Sequence, residues 1–378
     1  MNRENYNDLI AKAGKVVVKV GTSSITHETG KLNIEMIEKI CRQLVNLHFS
    51  GKEVILVTSG AVGAGLSKLG YTSRPKSIPE KQAAAAVGQG ILMHIYEKTF
   101  SEYGQIVAQL LLTKDDLKNR KRFLNSRNTL LTLLNKNVIP IINENDTVVV
   151  EEIKFGDNDT LAALVAGLVN ADLLILLTDI DGFYTADPRS NPEASLISVV
   201  EQIDDKVITQ AGKTGSTFAS GGMFTKIEAA KISGSAGIPM IIANSKTENV
   251  LNRIFALEPL GTLFLPRKQS PHTRKKWIGF GSEIEGSITV DEGCKKALIY
   301  NGKSLLAKGV LDVQGDFGSG SVISIVDNNG EEFARGIIGY TAEEMKMIKG
   351  CHSDDFIEIL GYKDTDVVIH RDNLLIRY

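Results

Sequence analysis

Short apolar runs at 16–20, 54–58, 106–112, 138–142, 173–178 and 240–243 recur through the first two-thirds of the chain, with helix-length stretches between them. No other feature narrows the fold as far. Runs such as Val16-Val-Val-Lys-Val20 and Leu173-Leu-Ile-Leu-Leu-Thr178 are apolar on nearly every residue, so both faces of each strand have to be covered. Helical connections make neighbouring strands parallel. The expected architecture is α/β: a mostly parallel sheet sandwiched by helices. Ligands of such sheets collect beyond the strand C-termini. Polar clusters follow the runs at that end: Lys19-Val-Gly-Thr-Ser-Ser24, Thr58-Ser-Gly-Ala-Val-Gly-Ala-Gly65, Asn143-Glu-Asn-Asp146 and Thr178-Asp-Ile-Asp-Gly182.

Around Pro266 the pattern changes to a basic, polar stretch, followed by shorter apolar runs at 288–290, 297–300, 322–326 and 335–340 among frequent glycines. A larger α/β domain at 1–266, a linker at 267–283 and a smaller β-rich barrel or sandwich at 284–378 are expected. A net charge of −2 leaves no global basic field for nucleic acid or an anionic membrane. Cys41, Cys294 and Cys351 are widely spaced and form no CxxC pair, which argues against a disulfide framework and a zinc site and fits a reducing cytoplasm. The polar N-terminus and the absence of a long uninterrupted apolar stretch argue against a secretory signal or a membrane span.

Chemistry concentrates in a few places. Lys19 closes the first strand just before Gly21, so its ammonium can reach a phosphate while the following turn offers backbone N–H groups to an anion. The same residues also suit an ordinary charged strand end. The chain has neither the GxxxxGK[ST] of a P-loop nor a GxGxxG after its first strand, which disfavours P-loop and dinucleotide-binding readings. The glycines of Thr58–Gly65 allow close backbone approach to a carboxylate or phosphate, with Ser59 as a hydroxyl, or equally allow tight packing of helix on sheet. Asp146 can meet a substrate amine or cap a turn. Phe155-Gly-Asp-Asn-Asp-Thr160 precedes an apolar helical stretch and packs more carboxylates and amides than one helix cap needs. Thr178 and Asp179 lead into a loop able to line a nucleotide pocket, and a glycine-rich stretch from Gly212 runs into a helix at Lys226, as loops that close over phosphates do. The charge-dense run at 114–127 reads as a solvated helix face.

Taken together, Val18-Lys-Val-Gly-Thr-Ser, Val57-Thr-Ser-Gly-Ala-Val-Gly-Ala-Gly, Ile142-Asn-Glu-Asn-Asp, Phe155-Gly-Asp-Asn-Asp, Leu177-Thr-Asp-Ile-Asp-Gly-Phe-Tyr and Gly221-Gly-Met-Phe-Thr-Lys resemble the amino-acid kinase family, end to end. Within it they look most like the members that phosphorylate the side-chain carboxylate of glutamate in the first step of proline synthesis. From Gly286 onward the chain resembles a PUA domain, a module of RNA-modifying enzymes. The resemblance implies that Lys19 and Lys226 neutralise the transferring phosphoryl group and that Asp159 positions both lysines. It implies that Ser59, Asp146 and Asn158 bind glutamate. Thr178, Asp179 and Ser220, Gly221, Gly222, Met223, Phe224, Thr225 and Lys226 would line the site for ATP, with Lys19 shared. Magnesium (Mg2+) would ride on the nucleotide phosphates, with no metal ligands from the protein. A homo-oligomer, dimer or tetramer, and proline as feedback inhibitor also follow from the resemblance, with the segment at 112–127 as candidate proline-responsive element. Residues 275–378 carry 17 acidic against 12 basic side chains, so RNA is not an expected partner.

Two other readings compete. Another acceptor of the same family, N-acetylglutamate, aspartate or UMP, would keep fold and mechanism; an Asp146 paired with a free ammonium favours glutamate over its acetylated form. A PUA-centred RNA-binding protein with a kinase-like scaffold is disfavoured by the acidic tail.

Overall fold

The computed structural model describes residues 3–27, 30–71, 73, 75–148, 158–188, 191–204, 207–208, 222–266, 284–363 and 365–376. The chain divides into two compact units, residues 1–268 and 269–378. The expected linker, 267–283, lies outside the described residues, as do Phe155, Gly156, Asp157, Ser220 and Gly221.

The first unit is built on an eight-stranded sheet whose spatial order begins β3-β4-β2-β1-β5-β9. These strands are β1 (Lys15–Val20), β2 (Glu53–Val57), β3 (Val107–Leu112), β4 (Ile139–Glu144), β5 (Leu173–Thr178) and β9 (Met240–Asn244). A two-stranded ribbon, β6 (Phe183–Tyr184) with β7 (Leu196–Ile197), and the short β8 (Val199–Val200) lie between β5 and β9 in sequence. All pairings from β3 through β9 in that order are parallel; β10 (Thr262–Phe264) runs antiparallel to β9, and β8, parallel to β10, shares its direction. The six expected strands are thus present within a residue or two; five of them lie inside the sheet, where apolar residues on both faces are covered, and β3 forms an edge.

Helices cover both faces. Side chains on a strand alternate between faces. Val16, Val18 and Val20 accordingly join a core formed with α1 (Ile34–Phe49) and α3 (Ile78–Ser101), whereas Val17 joins a second core formed with α4 (Arg120–Asn135), α5 (Asn158–Val169) and α6 (Met223–Ser235). Lys19 shares the parity of Val17, so its side chain emerges on the face of α5 and α6. The expected helix at 114–127 is a short turn of helix, Lys114–Lys118, capped by Thr113 and Asp116, followed by α4.

Between β2 and α3 lies α2 (Ala61–Lys68), which α3 crosses at unusually short range. A methyl group placed on Gly65 would stand 1.7 Å from the Ala84 carbonyl oxygen, and one on Gly88 would stand 1.8 Å from that of Ala61. Both positions therefore require glycine, and the crossing fixes how far α3 can move relative to the β2–α2 turn.

The second unit is a five-stranded mixed sheet, ordered β12-β11-β13-β14-β15, from β11 (Gly286–Val290), β12 (Val310–Gly315), β13 (Val322–Val326), β14 (Glu332–Ile337) and β15 (Leu374–Ile376). It is β-rich as expected, with one correction. Residues 297–300, read as a strand, are the last part of α7 (Glu292–Tyr300). Asp291 caps that helix by accepting from the Cys294 N–H at 2.7 Å, and this local signal outweighs the apolar run. The run at 335–340 is only partly strand, since β14 starts at Glu332 and stops at Ile337.

Candidate active site

Parallel strands deliver their C-terminal ends to one edge of the sheet, and the register brings those ends level. Lys19 pairs with Val57 on one side and Leu176 on the other, and the Thr58 N–H donates to the Ile142 carbonyl at 2.9 Å. The last residues of β1, β2, β4 and β5 therefore open on one crevice.

At its centre stands Asp159, in the first turn of α5 and 1% exposed. Lys19 Nζ donates to its Oδ1 at 2.5 Å, and Lys226 Nζ to its Oδ2 at 3.1 Å. Thr225 Oγ1 stands 2.9 Å from the same Oδ2 and 2.8 Å from the Gly222 carbonyl oxygen. Both lysines are buried, at 7% and 5% exposure. Burial is the largest influence on the Asp159 carboxyl and pushes it toward the neutral form. The fields of Lys19 and Lys226, with hydrogen bonds from Lys19 and Thr225, outweigh burial and hold it well below the usual carboxylate range. Buried cations held on one anion need close geometry to be tolerated. That geometry comes from three separate segments, a strand end and two helix starts.

A second polar group adjoins the first through the peptide linking Asn158 to Asp159. Asn158 Nδ2 lies 2.6 Å from the Thr58 carbonyl oxygen, 2.9 Å from Ser59 Oγ and 2.8 Å from Asn143 Oδ1. Ser59 precedes Gly60, whose φ of 97° is a left-handed conformation that suits glycine and starts α2. Asp146 is half-buried in the turn after β4, three residues beyond Asn143.

The two groups thus gather Lys19, Asp159, Thr225 and Lys226 on one side and Ser59 and Asn158 on the other. Thr178 and Asp179 end the neighbouring β5, and their hydrogen bonds run to each other at 3.0 Å and from the Ser245 N–H to the Thr178 carbonyl at 2.7 Å. Met223 packs on the second core and Phe224 is 52% exposed, while Gly222 precedes α6. Sequence reasoning passed over Asn143, Gln89, Thr58 and Tyr96 as site residues. Asn143 carried a signal, being an amide at the end of an otherwise apolar buried strand; Gln89 and Tyr96 carried none, since they sit on a helix with no motif. Among the described residues no group of three or more His, Cys, Asp or Glu side chains could hold a metal ion, and no helix is long and apolar enough to cross a membrane.

Residues 14–244 match the Amino acid kinase family and residues 286–360 match the PUA domain. A glutamate 5-kinase of Caldanaerobacter subterraneus subsp. tengcongensis is 56% identical over 362 residues, 96% of this chain and 97% of that relative. The glutamate 5-kinase of Moorella thermoacetica is 52% identical, covering 97% of each chain. This chain belongs to the glutamate 5-kinase family. Membership in the glutamate 5-kinase family makes it a kinase, with an amino acid kinase domain followed by a PUA domain. A solved carbamate kinase of Giardia lamblia bound to AMP-PNP, 18% identical, superposes on 68% of this chain and 99% of its own with a TM-score of 0.50, a likeness of fold.

Proposed function

We propose that this chain transfers the γ-phosphoryl group of ATP to the side-chain carboxylate of L-glutamate, forming γ-glutamyl phosphate, the first step of proline synthesis. The observation that carries the reading is the buried Lys19–Asp159–Lys226 arrangement in a chain more than half identical to a glutamate 5-kinase.

Glutamate's side-chain carboxyl, with an ordinary pKa of about 4.3, is ionised at neutral pH and needs no general base. The obstacle is the approach of one anion to another, so the protein's contribution is alignment and opposing charge. Lys19 and Lys226 supply the charge. Asp159 takes one donor from each ammonium and so aims both at one place without flexible side chains having to be ordered during the reaction. The site suits ATP: two buried ammonium groups on one carboxylate offer charge to its phosphates. Thr178, Asp179 and the segment ending at Lys226 would hold the nucleotide, with Ser220 and Gly221 in that segment. Magnesium on the nucleotide phosphates would supply further counter-charge. Ser59, Asn158 and Asp146 would hold glutamate, the hydroxyl toward a carboxylate and the Asn158 amide oxygen and Asp146 carboxylate toward its ammonium.

The test is ATP consumption with L-glutamate, N-acetylglutamate, aspartate and UMP offered separately, with hydroxylamine trapping the acyl phosphate of the carboxylate acceptors as the hydroxamate. Hydroxamate from glutamate alone supports the assignment; activity only with another acceptor discards it. The same reading carries a cytoplasmic location, a dimeric or tetrameric state and inhibition by proline through the segment at 112–127. Light scattering of the purified protein and a proline titration of the same assay test the last two.

A further inference from the structure

The proposed glutamate-binding amides do not end at the crevice; they continue into the molecule. Asn143 Oδ1 accepts both from Asn158 Nδ2 and from the Glu144 N–H at 2.9 Å. A backbone N–H can only donate, so this atom of Asn143 has to be the oxygen. Asn143 Nδ2 then points away from the crevice, where Gln89 Oε1 accepts from it at 2.7 Å. Asn143 is 2% exposed and Gln89 9%. Two turns along the same face of α3, Tyr96 is fully buried and its hydroxyl lies 2.8 Å from Thr58 Oγ1, in the residue whose carbonyl receives Asn158.

Backbone groups fix the polarity of both amides, the Glu144 N–H that of Asn143 and the Thr58 carbonyl that of Asn158. With the two hydrogens of its nitrogen shared among Thr58, Ser59 and Asn143, Asn158 keeps Oδ1 as an acceptor, the type that a substrate ammonium requires. Because Ser59 Oγ already accepts from Asn158, its hydroxyl hydrogen is left to donate, the type that a substrate carboxylate requires. Gln89 Nε2 is buried with no hydrogen-bond partner among the described residues. A buried donor without a partner is costly, so the side chain is placed there for its oxygen. Gly88, the residue before it, is the point where α3 meets the Ala61 carbonyl, which fixes the height of Gln89 against the Ser59–Gly60 turn.

We propose that Gln89 is a positioning residue for glutamate: by holding Asn143 Nδ2 it keeps the Asn143 side chain, and through it Asn158 and Ser59, at the place from which they face the substrate. The inference rests on the proposed glutamate site and deepens it. Gln89 touches no substrate, so it acts through affinity for one substrate alone.

The experiment compares steady-state kinetics of the full-length wild-type protein with Gln89→Met and Gln89→Glu, each checked by thermal melting. Gln89→Met keeps the length but removes the acceptor, and is expected to raise the KM for glutamate about tenfold or more while the KM for ATP stays within about twofold. Gln89→Glu keeps an oxygen toward Asn143 and replaces the unpartnered donor with a carboxyl oxygen, so most of the loss should be recovered in assays at the acid end of the activity range, where the buried carboxyl is neutral. Should Gln89→Met not fold, Gln89→Ala removes the same acceptor without bulk and gives the same reading. A glutamate KM within twofold of wild type, a parallel rise in both KM values, or no recovery in Gln89→Glu overturns the positioning role. A wild-type protein inactive on glutamate overturns the function itself and the relay with it, whereas an active wild type beside unaffected variants overturns the relay alone.

Discussion

The two units each contain a lysine–aspartate pair, and the pairs do opposite work. In the first unit, every described partner of Asp159 is a side chain far away in sequence: Lys19, Thr225 and Lys226. In the second, Asp327 accepts from the backbone N–H groups of Asn329 and Glu331 in its own turn, at 2.9 and 3.0 Å, and from Lys295 at 2.7 Å. The hydrogen bond from Lys295 is the main cause of the lowered Asp327 pKa, ahead of those backbone bonds, and the Lys295 ammonium also stands 5.4 Å from the Phe333 ring centre. A carboxylate bonded to its own turn shapes the local chain. One bonded to side chains distant in sequence, two of them cations, holds those cations at a chosen place. The difference sets a pair tied to its own turn apart from the pair proposed to act on the phosphoryl group.

The contrast can be broken most severely at the lysines. Lys226→Ala should lower kcat by about a thousandfold or more at saturating ATP, while Lys295→Ala should leave kcat unchanged; turnover near wild type in the first variant would remove Lys226 from the reaction. Next in size are the carboxylates. Asp159→Asn leaves two buried lysines without their anion, and should cost on the order of 3 kcal/mol of stability as well as about a hundredfold in kcat. Asp327→Asn should lower the melting temperature of the second unit by a few degrees and spare catalysis; differential scanning calorimetry with a parallel assay distinguishes them. Asp146→Ala should raise the KM for glutamate about tenfold and leave that for ATP alone, and a selective loss of ATP affinity would reassign it.

The smallest expected effect concerns pH. Because the folded carboxyl of Asp159 sits below its ordinary value, its charge favours the folded state fully above about pH 4, and this contribution fades as acidity rises toward the folded value. Urea titrations between about pH 5 and 2 should show wild type losing stability more steeply than Asp159→Asn. Equal slopes would mean that the carboxyl is not depressed in the folded protein.

Much of this was legible beforehand, and the residues show why. Strands with apolar residues on both faces have one kind of place to go, so β1 to β5 and β9 could be read directly, and the parity of Lys19 within β1 sets the face on which it meets α5. Local rules failed where two signals competed. The apolar stretch 297–300 follows a helix cap at Asp291, and the cap decided its conformation. They were silent where contact depends on how elements stack, as for Gln89, which reaches Asn143 only because two glycines let α3 sit against α2.

The cluster around Asp159 joins a lysine of the first strand to a lysine of a helix more than two hundred positions later. During synthesis, a ribosome has to release nearly the whole of the first unit before these charges can meet. A nascent chain stalled short of α6 carries the strand, the carboxylate and the proposed glutamate-binding amides yet lacks the second cation, so on the proposed mechanism catalytic competence switches on late, as a property of the finished unit.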